Sequence, residues 1–93
     1  MNSNDYALIC KALGDSNRLQ IVSMLSDGEK CAHKLLEKFE ISQPTLSHHM
    51  RILCECGLVI VRKNGKRSHY TLNNQVLRSF EKFIDGLKAG RNK

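Results

Sequence analysis

No apolar run in this 93-residue sequence is long enough to cross a membrane, and no basic-then-apolar leader opens it. The expectation is therefore a cytoplasmic protein with no membrane partner. Repeats, linkers and low-complexity segments are missing too. That leaves one domain over residues 1–93, with a core near the small end of what folds alone. Paired C-x₂-C spacing is absent, so Cys10, Cys31, Cys54 and Cys56 do not form a structural zinc site. In a reducing compartment they are expected as thiols rather than disulfides. One further absence is local: no acidic residue lies between Leu58 and Leu72.

What is present is positive charge, unevenly spread. The formal net charge is +6. Residues 1–42 carry five Lys/Arg against six Asp/Glu, whereas residues 43–72 carry five against Glu55 alone. Residues 73–93 carry five against two. Positive potential gathered on one unit is the electrostatic footprint of a polyanion binder.

The apolar spacing predicts helices. Tyr6, Ile9, Cys10 and Leu13 repeat at helical intervals over Asp5–Leu13, and Gly14 stops that run. Asp15 or Ser16 can cap the next helix, which carries Leu19, Ile21, Val22 and Leu25 up to Asp27-Gly28. A third, about Ala32–Phe39, buries Leu35, Leu36 and Phe39. Ile41 lies in the short turn that follows. Ser42 then caps a fourth helix that tolerates Pro44 in its first turn and ends at Gly57. Two short helices joined by a tight turn make a helix-turn-helix. Leu58–Lys63 and Lys66–Leu72 are strand-like and flank Asn64-Gly65, a hairpin signal. Arg62, Lys63, Lys66 and Arg67 crowd its tip. Gln75–Leu87 is a last helix with Val76, Leu77, Phe80, Phe83, Ile84 and Leu87 on one broad stripe.

On a 3.6-residue wheel the Ser42-capped helix turns Leu46, Met50 and Leu53 inward. Gln43, Pro44, Ser47, His48 and Arg51 face or flank the outside. Gln43 suits adenine, Ser47 either base type, His48 a guanine acceptor, and Thr45 offers a hydroxyl and a methyl. Arg51, nearer the middle, suits phosphate. Arg62, Lys63, Lys66 and Arg67 are expected to contact phosphates, with Lys63, Lys66 and Arg67 straddling the backbone or probing the minor groove, supplying affinity more than sequence choice. His49 falls beside the inward stripe and reads as a packed histidine. Tyr70 reads as an anchor of the hairpin on the body. The terminal stripes exceed what so small a chain can bury, so Tyr6, Ile9, Cys10, Leu13, Phe80, Phe83, Ile84 and Leu87 are expected at a homodimer interface. A palindromic DNA site needs two reading heads.

The segments ALGDSNRLQIVSML, SQPTLSHHMRIL, GLV and GKRSHYTL, in this order over about residues 7–72, resemble the ArsR/SmtB family of winged-helix repressors, nearest its arsenical-resistance branch. The resemblance implies a mainly α fold with a β-hairpin wing and about five helices. It also implies a dimeric, metal- or redox-responsive repressor of duplex operator DNA, released when an inducer binds. Positions matching Gln43, Ser47 and His48 are base-reading ones in relatives. In the arsenical branch the segment matching GEKCAHKLLE carries C-x-C, often with a third sulfur. This chain keeps Cys31 and has His33 and Leu36 at the other two places.

Cys31 and His33 lie about 200° apart on a regular helix, so they converge only if Cys31 sits at or before the first helical residue. A thiophilic metal(loid) ion there is the expected inducer, and DNA binding itself needs no cofactor. Cys54 and Cys56 meet the same angular problem. Relatives that sense lead or cadmium use a cysteine matching Cys56 with one four residues earlier, where this chain has Ile52. Packing is the better reading for Cys54 and Cys56, with metal ligation the alternative. In the last helix Asp85 is followed by no histidine, unlike the acid–His pattern of zinc-sensing relatives. An enzyme reading of Cys31/His33 lacks an oxyanion site and a third orienting group, so no catalytic residue is assigned. A ligand-independent or thiol-redox-responsive winged-helix protein is the remaining alternative.

Overall fold

Asn2 sets the first helix. Its Oδ1 accepts from the Asp5 amide at 3.0 Å, and Asp5 Oδ2 accepts from the Asn2 amide at 2.9 Å. This reciprocal box satisfies two amides that have no helical partner. Helix α1 therefore spans Ser3–Leu13, starting ahead of the expected Asp5. The computed structural model describes residues 1–88 and Gly90. Helix α2 spans Ser16–Leu25, capped by Asp15, which accepts from the Asn17 and Arg18 amides at 2.9 and 3.2 Å. There follow β1 (Lys30–Cys31), α3 (Ala32–Leu36) and α4 (Gln43–Glu55). The chain continues through β2 (Val59–Asn64), β3 (Arg67–Leu72) and α5 (Asn74–Lys88).

Five helices and a three-stranded antiparallel sheet thus make a winged helix-turn-helix, as the sequence suggests. Three details differ. Helix α3 ends at Leu36 rather than Phe39, because the Lys38 and Phe39 amides bond three residues back, to the Leu35 and Leu36 carbonyls. That tighter winding cannot continue an α-helix. The hairpin register pairs Asn64 with Arg67, so the two-residue loop is Gly65-Lys66. Gly65 has φ 65°, and no non-glycine residue among those described has positive φ. A positive φ at the first loop position alone fits a II′ turn. Finally, β1 has no counterpart among the expected elements. It pairs with β3, Lys30 opposite Tyr70 and Cys31 opposite His69, giving the order β1-β3-β2.

The core gathers one face from each element. Ile9 and Ala12 come from α1, Ile21 and Leu25 from α2, and Leu35 from α3. Leu46, Met50 and Leu53 come from α4, joined by Leu58 and Val59 at the start of the wing. Helix α5 has no fully buried residue. Its Val76, Leu77 and Phe80 rest on the core, and Phe83 stacks on Tyr6 with ring centroids 4.3 Å apart.

Candidate nucleic-acid interface

The exposed face of α4 follows from its cap. Ser42 Oγ accepts from the Thr45 amide at 3.3 Å and donates to Thr45 Oγ1 at 2.9 Å. The cap aims the helix N-terminus outward, with Pro44 harmless in the first turn. Leu46, His49, Met50 and Leu53 are buried, which leaves Gln43, Thr45, Ser47, His48 and Arg51 exposed. Arg51 Nη2 donates to His48 Nδ1 at 3.2 Å.

His49 is packed, being 7% exposed. Its Nδ1 accepts from Arg18 Nη1 at 3.2 Å. Arg18 also donates through Nε to the Ala12 carbonyl at 2.6 Å. One guanidinium on α2 thus touches the end of α1 and the middle of α4. Nothing in the apolar spacing signals this pair, which is separated by 31 positions.

The wing cations divide into two kinds. Arg62 donates to Glu29 through Nη2 at 2.9 Å and Nε at 3.4 Å. The pairing holds the Glu29 carboxyl below its ordinary range, with the Arg62 hydrogen bond as the main cause. His69 Nδ1 lies 3.8 Å from the same carboxylate. Arg62 is therefore tied to the body. Lys63, Lys66 and Arg67 are exposed and, among the described residues, have no ion-pair partner. Tyr70 is half-buried against the core, and burial pushes its hydroxyl pKa up.

These parts meet in one open cleft of about 410 Å³. Gln43, Leu46 and Ser47 of α4 form one wall; Lys66, Arg67, Ser68 and Tyr70 of the wing form another. Cys31, Ala32, His33 and Leu36 close the side. Polar hydrogen-bonding groups and unpaired cations thus face a common space, an arrangement suited to base edges beside phosphates.

Cys31 is the N-cap of α3, with extended backbone at φ −81° and ψ 161°. The condition for Cys31 and His33 to approach each other is therefore met, and both line the cleft. His33 Nε2 also lies 3.9 Å from Glu37 Oε2. Cys54 and Cys56 are half-buried, and desolvation pushes both thiols up in pKa. Cys56 Sγ donates to the Leu53 carbonyl at 3.3 Å, the bond of a packed thiol near a helix end. Among the described residues, no three His, Cys, Asp or Glu side chains form a group that could hold a metal ion.

The description "Bacterial regulatory protein, arsR family" matches residues 15–61. Over 85 residues the chain is 46% identical to an arsenical resistance operon repressor of Staphylococcus xylosus, covering 91% of this chain and 82% of that one. The corresponding repressor of Staphylococcus aureus is 49% identical over 77 residues, covering 83% and 74%. The chain belongs to the ArsR family. Among solved structures, HlyU from Vibrio cholerae is 35% identical with a TM-score of 0.74, covering 89% of this chain and 94% of that one. This ArsR-family protein is a winged-helix transcriptional regulator, not an enzyme.

In this ArsR-family chain the residues expected at a dimer face separate into two groups. Ile9 is a correction: it is 0% exposed, because α1 packs on α2 and α4 along that side, so it cannot meet another chain. Tyr6, Leu13, Phe80 and Phe83 are half-buried within the subunit, with Tyr6 and Phe83 stacked on each other. Cys10, Ile84 and Leu87 are exposed, and Leu8, absent from the predicted stripe, joins them at 53% exposure.

Proposed function

We propose that this regulator is a homodimeric repressor of a duplex DNA operator in the cytoplasm, and that a thiophilic metal(loid) ion bound at Cys31 releases it. The observation that carries the DNA half is the shared cleft, where Gln43 and Ser47 at the start of α4 and the wing cations Lys66 and Arg67 face one space. Gln43, Thr45, Ser47 and His48 reach base edges in the major groove. Lys63, Lys66 and Arg67 hold phosphates, with Arg62 steadying the wing from its base. DNA binding needs no cofactor.

The release half rests on two supports. Relatives with 46% and 49% identity are named arsenical resistance operon repressors. Cys31 and His33 also line the same cleft as Gln43 and Ser47, so an ion there lies between reading helix and wing. One subunit offers this pair, and the ion takes its remaining ligands from outside it. Soft thiolate suits a soft ion. A coupling of about 1–3 kcal/mol gives a 5- to 150-fold loss of operator affinity.

The test is a titration of the labelled operator complex with arsenite, antimonite, cadmium, lead and zinc. Cys31→Ser should keep DNA binding and lose the response. His33→Cys should sharpen the response to arsenite by adding a second soft ligand. Release of Cys31→Ser by the same ion at the same concentration would remove Cys31 from the switch.

A further inference from the structure

Helix α4 carries two adjacent histidines that are treated alike and aimed apart. Each accepts an arginine hydrogen bond on Nδ1 at 3.2 Å: buried His49 from Arg18, exposed His48 from Arg51. The two rings are 5.9 Å apart and inclined at 54°. His49 faces the core, and His48 stands on the exposed outer face of α4, the face proposed to meet the major groove.

A guanidinium has only donors. In the neutral ring, Nδ1 of His48 facing Arg51 is therefore the bare nitrogen, which puts the proton on Nε2. The other neutral tautomer would place N–H against N–H at Nδ1. Arg51, one turn along the same face, thus selects one form of His48 and fixes the plane of its ring.

We propose that Arg51 acts on the operator through His48: it is a positioning residue that presents His48 Nε2–H as a lone donor to a purine N7. The inference rests on α4 being the reading helix and deepens that reading by naming the chemistry at one base. A lone donor has a definite preference. Both purines show N7 in the major groove; guanine flanks it with the O6 acceptor and adenine with the N6 donor, thymine offers O4 beside its methyl, and cytosine N4 is itself a donor. A lone donor thus excludes cytosine, and guanine, with two adjacent acceptors, is favoured over adenine and thymine. A ring with bare Nε2 would select the reverse, adenine N6 or cytosine N4. Arg51 therefore sets the sign of the preference and is not simply a phosphate contact.

The experiment uses the full chain and a duplex that it selects from random DNA. Each purine in a half-site is replaced in turn by its 7-deaza analogue, which removes N7 and keeps base pairing. The wild type should lose about five- to tenfold at one purine per half-site, the range expected for one hydrogen bond. His48→Ala should show no loss at that position. Arg51→Ala should lose most of that local sensitivity, and Arg51→Lys should recover part of it, because an ammonium also donates to Nδ1. The double variant should match His48→Ala there.

Arg51→Ala that weakens every duplex by one common factor and keeps the full 7-deaza loss would overturn the proposal and make Arg51 an independent phosphate contact. A flat scan for the wild type, with Ser47→Ala still losing selectivity, overturns this inference alone. A flat scan in which Ser47→Ala also leaves selectivity unchanged removes α4 as the reading helix, and this inference with it.

Discussion

Arg18 shows how much one side chain can organise. Its fork meets the Ala12 carbonyl, the more distant Lys11 carbonyl at 3.5 Å, and His49 Nδ1. A cation at the last carbonyls of α1 also complements the negative end of that helix. The acceptor on His49 can be tested by shape. Asn places an oxygen near the Nδ1 position, whereas Gln places its polar group further out, near Nε2. His49→Asn should unfold close to wild type in denaturant, and His49→Leu should cost about 1–3 kcal/mol by leaving the guanidinium short of a partner. Equal losses for Asn and Leu would mean that packing, not the hydrogen bond, matters there. Asp15, beside Arg18, gives a pH prediction. Its carboxyl is held below its ordinary range, chiefly by the Arg18 amide it accepts from. A carboxyl with a depressed folded value stabilises the fold above its unfolded range, and that contribution is lost as pH falls through the folded value. Asp15→Asn still caps α2, so its thermal midpoint should change little at neutral pH and fall less steeply in acid. An unchanged acid slope would assign the effect to Asp27 and Glu29, which are depressed by Lys30 and Arg62 respectively.

At the scale of elements, the wing and α4 carry separable terms. Lys66→Ala with Arg67→Ala should weaken binding to operator and random duplex alike. It should also flatten the log–log salt dependence by about 0.9 for each phosphate no longer neutralised. Arg62→Ala should change that slope less, because Arg62 is engaged with Glu29. Glu29→Gln should steepen it by freeing a fourth cation; no change in slope would place Arg62 off the DNA. The bounds of α4 were legible because every signal is local: the Ser42 cap, Pro44 in the first turn, the inward Leu46, Met50 and Leu53, and Gly57 at φ 89°. Strand β1 was not, because Lys30–Cys31 is extended only by virtue of a partner strand some forty positions away. The end of α3 was overrun because Phe39 is apolar and partly buried whether it lies on a helix or in the turn after one. Periodicity put Ile9 and Cys10 on one stripe, but it does not say which edge meets the chain's own core. Packing of α1 on α2 and α4 settles that for Ile9. The cleft joining Cys31 to Lys66 is likewise a product of the sheet order, which no run of residues announces.

For the whole molecule, α5 poses the question of assembly. Its Ile84 and Leu87 are 44% and 52% exposed, and Leu8 of α1 is also uncovered. A second copy is proposed to cover them. Ile84→Glu with Leu87→Glu should give monomers by sedimentation, keep the helical content, and lose tight operator binding while weak binding to random duplex persists. A wild type that is monomeric at micromolar concentration would contradict the dimer. The sheet order has a different consequence, for the chain in the absence of DNA. With β3 between its neighbours, β2 keeps one edge unpaired among the described residues. Val59, Ile60 and Val61 lie along it, the last two 50% and 41% exposed. An open β-branched edge is a template for pairing with its own kind. Arg62 and Lys63 follow at once, and like charges on two approaching edges repel. The wing's cations are therefore gatekeepers against edge-to-edge aggregation. Lys63→Thr should scatter more light than the wild type when concentrated in salt without DNA, and added duplex should suppress the difference. The charge that draws the wing to DNA then also keeps the unbound pool of regulator from joining wing to wing.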